Sequence, residues 1–436
     1  MLRFGTDGVR ARAFTELTPE YVARLGRAAA TVLGDGTWLF ARDTRESGPR
    51  LASALAAGLS SGAVDLGVIP TPALAYWSQR LGVPAAMITA SHNPWHDNGV
   101  KIFAAGGTKL PDDVERSIER ELEATQHAPI NVPSQFDTTS TNAADDYLAH
   151  LIDGMSSLDE LHVVLDCANG AMSAVAPVAF ERLGARLTVI HAQPDGRNIN
   201  DRCGATAPAS LAETVVAERA SFGLAFDGDG DRVIAVDHLG KVIDGDRLIA
   251  LAALQLREEG HLVDDTVVVT VMTNLGFRRA MEHVGIHVIE TAVGDRYVLE
   301  ALDAGGYAVG GEQSGHIIYR RLATTGDGLL AGLRLAEHVV RRGRPLTELA
   351  SAVMTSYPQV LVNVRVSERH PHVAEELAAE IADGEARLAG EGRILVRASG
   401  TEPLVRVMVE AATLEMAQRT ADDLAAIVRD RFASVD

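Results

Sequence analysis

Ile88-Thr89-Ala90-Ser91-His92-Asn93-Pro94 sets a serine directly after an apolar run and directly before two turn formers. Ala85 to Thr89 reads as a buried strand, and Asn93 with Pro94 enforces a turn, so the Ser91 hydroxyl is held at a strand end. Open α/β sheets carry their chemistry in the loops at that edge. Taken alone, the stretch leaves two readings open: an ordinary Ser/Asn/Pro turn, or a phosphorylatable nucleophile.

Around it, residues 1 to about 140 alternate helical and strand patterns. Thr18 caps and Pro19 opens a helix to about Leu33. Thr37 to Ala41 reads as a strand, about Arg50 to Leu59 as a helix, Val64 to Ile69 and Val100 to Phe103 as strands, and about Asp112 to Ala124 as a helix. Gln126 to Asn142, with its prolines, hydroxyl residues and no apolar period, reads as a linker. A second block repeats the alternation, with a helix from Ala143 to Leu158, a strand at His162 to Asp166, a helix from Ala171, a strand at Arg186 to His191, a helix from Ala209 and a strand at Gly223 to Phe226. The third has strands at Thr266 to Met272, His287 to Thr291 and Ala308 to Gly310. No repeat is visible residue by residue, although the shared order suggests structural duplicates. The last stretch changes to α+β order, with strands at Gln359 to Val366, Ile394 to Ala398 and Leu404 to Glu410. In its closing helix Ala417, Ala421, Leu424 and Val428 share one face. The expected domains are 1–140, 141–239, 240–357 and 358–436.

With 436 residues, 47% of them apolar, the chain has ample material for several cores. Its formal net charge of −19 argues against nucleic-acid or anionic-membrane surfaces, which need clustered Lys and Arg. An anionic small molecule is still compatible with that charge, given a local basic pocket. No stretch reaches the ~18 apolar residues of a membrane span, and Met1 to Gly5 lacks a signal peptide's apolar core, so a cytoplasmic location is expected. Cys167 and Cys203 have no metal-ligand spacing and read as reduced, packed thiols.

Three further stretches carry chemistry. Asp227-Gly228-Asp229-Gly230-Asp231-Arg232 follows a strand, and its carboxylates can fold around one hard cation because glycine lets the loop turn tightly. An EF-hand is excluded, since the sixth position is Arg232 and the twelfth His238. Three carboxylates with open positions fit Mg²⁺ that also binds a phosphate oxygen; a solvated acidic turn is the alternative. Arg397-Ala398-Ser399-Gly400-Thr401-Glu402-Pro403, with Arg406 beyond, offers hydroxyls, approachable backbone N–H groups and forked guanidiniums, either as an anion cradle or as a plain hairpin turn. Gly311-Glu312-Gln313-Ser314-Gly315-His316 can hydrogen-bond several sugar hydroxyls, or be a satisfied turn. Arg10 after the Gly5 to Gly8 turn, and Lys101 beyond Ser91, can each steady a phosphate or be surface charges. Lys101 can act as acid or base if its pKa is lowered. Gly58-Leu59-Ser60-Ser61-Gly62 matches a nucleophile-elbow string but precedes a strand where the elbow must follow one.

Together these stretches resemble the α-D-phosphohexomutase family, in the family's order and across nearly the whole chain. The resemblance implies an α/β fold of four domains around a central cleft, three similar layered α/β domains plus a smaller C-terminal α+β domain. It implies that Ser91 bears a catalytic phosphate and that Asp227, Asp229 and Asp231 bind Mg²⁺ with that phosphoserine. It also places Arg10, Lys101 and Arg232 near the transferred phosphate. Glu312, Ser314 and His316 are then sugar contacts, and Arg397, Ser399, Gly400, Thr401 and Arg406 grip the non-reacting phosphate. Gln313, the Gly5 to Arg10 opening and Val293-Gly294-Asp295-Arg296-Tyr297 look like the glucosamine branch. Ala11 departs from it where a glycine is common, as do Ala205 and Ala207 where Ser and His are usual.

The implied activity is reversible interconversion of glucosamine 6-phosphate and glucosamine 1-phosphate through a hexose 1,6-bisphosphate, feeding UDP-N-acetylglucosamine and cell-wall precursors. Its small-molecule partner would be the phosphosugar, with monomer and homodimer both open. The rivals are phosphomannomutase or phosphoglucomutase activity, a Mg²⁺-dependent serine phosphatase, and a non-catalytic sugar-phosphate binder.

Overall fold

The protein is described from a computed structural model covering residues 2–5, 7–59, 62–125, 143–399 and 403–432. It forms two compact units, Met1–Met272 with Ile286–Val353, and Thr273–Gly285 with Met354–Asp436.

Among its described residues the first unit holds three sheets built on one plan. In the first sheet Ala85–Ile88 runs parallel to Trp38–Arg42 and antiparallel to Asp97–Ala104. In the second, Phe222–Phe226 runs parallel to His162–Asp166 and antiparallel to Val233–Asp237. In the third, Val309–Gly311 runs parallel to Thr266–Thr270 and antiparallel to Ile317–Tyr319. Each sheet therefore repeats the same parallel-then-antiparallel step, and the loops that reverse the chain there are those of Ser91, of Asp227 to Arg232, and of Glu312 to His316. The first two sheets add further antiparallel pairs, at Val9–Arg12 and at Val242–Ile243. The duplication invisible in the sequence is thus present in the topology, and it puts all three motif loops at equivalent places.

Ala85–Ile88, Phe222–Phe226 and His162–Asp166 are buried at every position, as strands covered on both faces must be. Pro19–Leu33 starts as expected, with the Thr18 side chain accepting from the Tyr21 amide. The helix at Ala143 stops at Ile152, short of Leu158, and Gly154 then turns the chain at φ +71°. From Ala171 a 3₁₀ turn to Ala174 precedes the α-helix Ala176–Arg182. The helix Thr71–Leu81 was not expected; Pro72 lies in its first turn, where the missing N–H costs nothing. The helix Gly48–Gly58 leads into the strand Ala63–Val68, the wrong order for a nucleophile elbow. Cys167 and Cys203 are buried free thiols, with burial pushing both above the ordinary thiol range. The expected linker, Gln126 to Asn142, lies outside the described residues.

In the second unit Leu404–Ala411 pairs antiparallel with Gln359–Arg365 on one side and Gly392–Ala398 on the other. Leu414–Phe432 lays Ala417, Ala421, Leu424 and Val428 into this unit's core, the face read from its spacing. The helix Leu275–His283, inside the expected 240–357 block, belongs to this unit. Buried Glu410 accepts from the Leu275 amide at 3.0 Å and from Asn274 Nδ2 at 3.1 Å. No helix among the described residues is long and apolar enough to cross a membrane.

Candidate active site

Ser91 is fully buried and sits at φ +51°, in the left-handed region a residue with a Cβ rarely adopts. Its amide donates to Thr89 Oγ1 at 2.8 Å, and Thr89 Oγ1 donates to Asp43 Oδ2 at 2.7 Å. Its carbonyl accepts from Arg45 Nη2 at 2.9 Å and from Asn200 Nδ2 at 2.8 Å. Ser91 Oγ donates to Asp227 Oδ2 at 2.6 Å, so residues 136 positions apart meet at the expected nucleophile. Its other neighbour is His92 Nδ1 at 3.3 Å. Burial, then the charges of Arg232 and Arg10, pull that imidazole down to about 4, so it is neutral near pH 7.

The aspartate loop reaches Ser91 because Gly228 has no side chain: a Cβ there would lie 2.6 Å from Ser91 O. Asp227, Asp229 and Asp231 are all buried and bring one oxygen each within 4.8 Å of the others. Lys101 Nζ lies 2.8 Å from Asp229 Oδ2, 2.8 Å from Asp231 Oδ2 and 3.0 Å from Asp7 Oδ2. Burial works against the Lys101 charge, but these three carboxylates outweigh it and hold the amine well above the ordinary lysine range. These carboxylates therefore favour the charged amine here, whereas the sequence reads Lys101 as an acid or base only on the condition of a lowered pKa. Burial, reinforced by the charges of Asp231 and Asp229, raises the Asp227 carboxyl well above the usual range. For Asp231 the upward push of burial loses to Lys101, His316 and Arg232, and its carboxyl lies well below that range.

A hard cation fits this cluster. Asp229 Oδ1 is buried with no hydrogen-bond partner, and the closest ion-pair partners of Asp231 Oδ1 are His316 Nδ1 at 3.8 Å and Arg232 Nε at 3.9 Å. Oxygen-only donors with lone pairs to spare match Mg²⁺. Thr71, at the start of its helix, fixes the loop from outside: its amide donates to Asp229 O at 2.9 Å and its hydroxyl to Asp229 Oδ2 at 2.7 Å. Arg10 pairs with Asp7, so the three expected cations Arg10, Lys101 and Arg232 share one charge network.

The third loop docks on the second, with the Val233 amide donating to Gly315 O at 3.0 Å. His316 is buried; its Nε2 accepts from the Gly326 amide at 3.0 Å and lies 3.2 Å from Asp295 Oδ2. Lys109 spans Asp7, at 2.7 Å, and Asp295, tying the loop to the first sheet. Glu312 Oε1 accepts from the Gly294 amide at 3.1 Å, and burial, then the Asp295 charge, raises its carboxyl. Ser314 is exposed. Ser91, the three aspartates, Glu312 and His316 thus belong to one connected site in the first unit.

In the second unit Arg397 and Arg406 face each other on neighbouring antiparallel strands. Like charges in that position repel, and burial with the Arg406 charge lowers the Arg397 guanidinium. Arg406 Nε is buried without a hydrogen-bond partner. Ser399 is buried beside them, while Gly400 and Thr401 lie outside the described residues. An anion would relieve the pair and accept from both forks. Arg45, Asp43, Thr71, Asn200 and Lys109 escaped the sequence reading, and Asp295 entered it only as part of the Val293 to Tyr297 stretch, with no role at the site. The available signals were Asp43-Thr44-Arg45 at the end of an apolar strand and Thr71 between two prolines.

Models of the phosphoglucomutase/phosphomannomutase α/β/α domains I, II and III match residues 1–128, 145–240 and 244–357, and that of the C-terminal domain matches 361–427. The chain belongs to the phosphoglucomutase/phosphomannomutase family, with three α/β domains and a smaller C-terminal one. It is 50% identical over 439 residues to a phosphoglucosamine mutase of Rhodococcus opacus, covering 98% of each chain. It is 51% identical over 441 residues to that of Rhodococcus erythropolis, again covering 98% of each. Among solved structures, a phosphoglucomutase/phosphomannomutase family protein from Burkholderia thailandensis superposes with a TM-score of 0.79 at 24% identity, covering 98% of this chain and 97% of that one. N-acetylphosphoglucosamine mutase of Aspergillus fumigatus, solved with GlcNAc-6P and magnesium, gives 0.69 at 19% identity, covering 99% and 96%. At these identities the likeness speaks for the fold.

Proposed function

We propose that the protein interconverts glucosamine 6-phosphate and glucosamine 1-phosphate, the activity carried in the names of full-length relatives half identical to it. The observation that carries the mechanism is the 2.6 Å contact of Ser91 Oγ with Asp227 inside a buried three-carboxylate cluster. In the resting enzyme Ser91 carries a phosphate. The free 1- or 6-hydroxyl oxygen of the sugar attacks that phosphorus, a new P–O bond forms as the bond to Ser91 Oγ breaks, and the proton lost by the sugar hydroxyl is balanced by the one that Ser91 Oγ gains. The product is the 1,6-bisphosphate. Once it has turned over within the site, Ser91 Oγ takes the other phosphate by the same exchange, leaving the isomeric monophosphate. Asp227, Asp229 and Asp231 would hold Mg²⁺, which supplies charge neutralisation at the transferred phosphate.

Phosphoryl transfer needs positioning and charge more than covalent help. Lys101, Arg232 and Arg10 supply the fixed positive charge. Glu312, Ser314 and His316 are assigned to the sugar hydroxyls. Arg397 and Arg406, with Ser399, Gly400 and Thr401, are assigned the non-reacting phosphate. Because the substrate must bind in both orientations, a pair that reads phosphate rather than one sugar end suits the task. A cytoplasmic setting fits a phosphosugar substrate.

With Mg²⁺ and a trace of bisphosphate, kcat/KM is expected to be highest on glucosamine 6-phosphate when compared with mannose 1-phosphate and glucose 1-phosphate. A preference for either hexose would reassign the substrate within the family. Continuous release of inorganic phosphate would mark a serine phosphatase and overturn the mutase reading.

A further inference from the structure

The Ser91 turn is strained, and one buried guanidinium is devoted to it. Arg45 is 1% exposed. Its Nη2 donates to Ser91 O at 2.9 Å and to Asn93 O at 2.8 Å, while Nη1 donates to Asp97 O at 3.0 Å and to Pro94 O. Its Nε donates to Asp43 Oδ2 at 2.8 Å, and that same oxygen accepts from Thr89, whose hydroxyl holds the Ser91 amide. From the second sheet's side, Asn200, itself at φ +57°, donates through Nδ2 to Ser91 O at 2.8 Å and to Asn93 O at 3.1 Å. The Ser91 and Asn93 carbonyls are thus each gripped from two directions.

A buried Arg–Asp pair is weak support for stability, since apolar residues of equal volume often serve as well or better. What it does supply is geometry, because a planar fork facing four carbonyls admits one loop conformation. Left-handed backbone at a non-glycine residue persists only where its surroundings over-determine it, and such strain gathers at functional sites. We propose that Arg45 and Asn200 are positioning residues that clamp the Ser91 and Asn93 carbonyls, hold Ser91 in its left-handed turn and so aim Oγ at Asp227. This rests on Ser91 being the phosphate carrier. Without the donors the turn relaxes toward negative φ and the Cβ–Oγ bond swings away from the aspartate loop. Asn200 also links the nucleophile's aim to the docking of the second sheet on the first.

The test uses the full chain carrying Asn200→Asp, which keeps the shape and loses the donor, Asn200→Gly, which keeps the left-handed backbone, and Arg45→Lys, which keeps the charge and loses the fork. In both Asn200 variants kcat is expected to fall about 10- to 100-fold, with KM for glucosamine 6-phosphate within about twofold and Tm unchanged. Arg45→Lys is expected to lose more and not to rescue. Amide hydrogen exchange at Ser91 and Asn93 should speed up in all three, with exchange in the surrounding strands unchanged. Wild-type kcat and exchange in Asn200→Asp and Asn200→Gly would overturn the clamp, and so would a loss of activity that merely tracks Tm. If the wild type turns over no hexose phosphate, the functional reading falls, and the exchange result still decides whether the clamp holds the turn.

Discussion

Ser91→Ala is expected to lower mutase turnover by about 10³-fold or more, as removal of a covalent nucleophile does, and to abolish the phosphate detectable on the native protein. Among the described residues none is placed to take over. His92 is the other side chain at Ser91 Oγ, and the turn aims the serine oxygen, not the imidazole, at Asp227. The fold should survive, because Ser91 is held through its amide and carbonyl and both remain in the variant. Asp227 Oδ2 loses one donor, while its Oδ1 still accepts from the Arg232 amide at 3.2 Å. Intact mass, initial rates and Tm on one preparation check all three statements. Turnover near the wild-type rate in a folded Ser91→Ala protein would remove the nucleophile from the mechanism.

Lys101→Met should act first on stability. Lys101 is buried among Asp7, Asp229 and Asp231, within 3.0 Å of each. Removing one partner from such a group strands buried charge and typically costs about 3–5 kcal/mol. A divalent cation held by Asp227, Asp229 and Asp231 would supply charge beside two of these carboxylates, and binding that favours the folded state raises its stability. The Tm of Lys101→Met is therefore expected to fall sharply without Mg²⁺ and to rise more than that of the wild type as Mg²⁺ is added. A Tm that neither drops nor responds to Mg²⁺ would mean that Asp227, Asp229 and Asp231 do not form a cation site. Turnover should stay low even at saturating Mg²⁺, because the variant lacks a fixed charge beside the transferred phosphate.

Elements with strong local pattern were legible in the sequence. His162–Asp166 and His287–Thr291 fall where the apolar runs put them, and the Ala417 to Val428 stripe is the buried face of its helix. Val233–Asp237 and Ile317–Tyr319 were not legible, being short runs just after loops that drew attention for their charge. They are nevertheless the strands that make the aspartate loop and the Glu312 to His316 loop sheet reversals. Within the site, residues clustered in sequence could be found by their chemistry: Ser91, the three aspartates, Glu312 to His316, and Arg397 with Arg406. Those recruited from afar could not. Arg45 acts on a carbonyl 46 positions away and Thr71 on a carboxylate 158 positions away, and nothing local marks either as buried. Lys101 was legible as a cation, but its pKa direction was not, since that depends on three carboxylates converging from two loops.

The central claim is that Ser91 passes one phosphate to either end of one hexosamine, and labelled phosphate tests it most directly. Protein labelled on Ser91 is mixed with one equivalent of unlabelled glucosamine 6-phosphate and Mg²⁺, and the products are separated during the first turnovers. Label is predicted first in the 1,6-bisphosphate and then in glucosamine 1-phosphate, with Ser91→Ala taking up none at the start. Label that leaves as inorganic phosphate, or stays on the protein while the sugar isomerises, would contradict it.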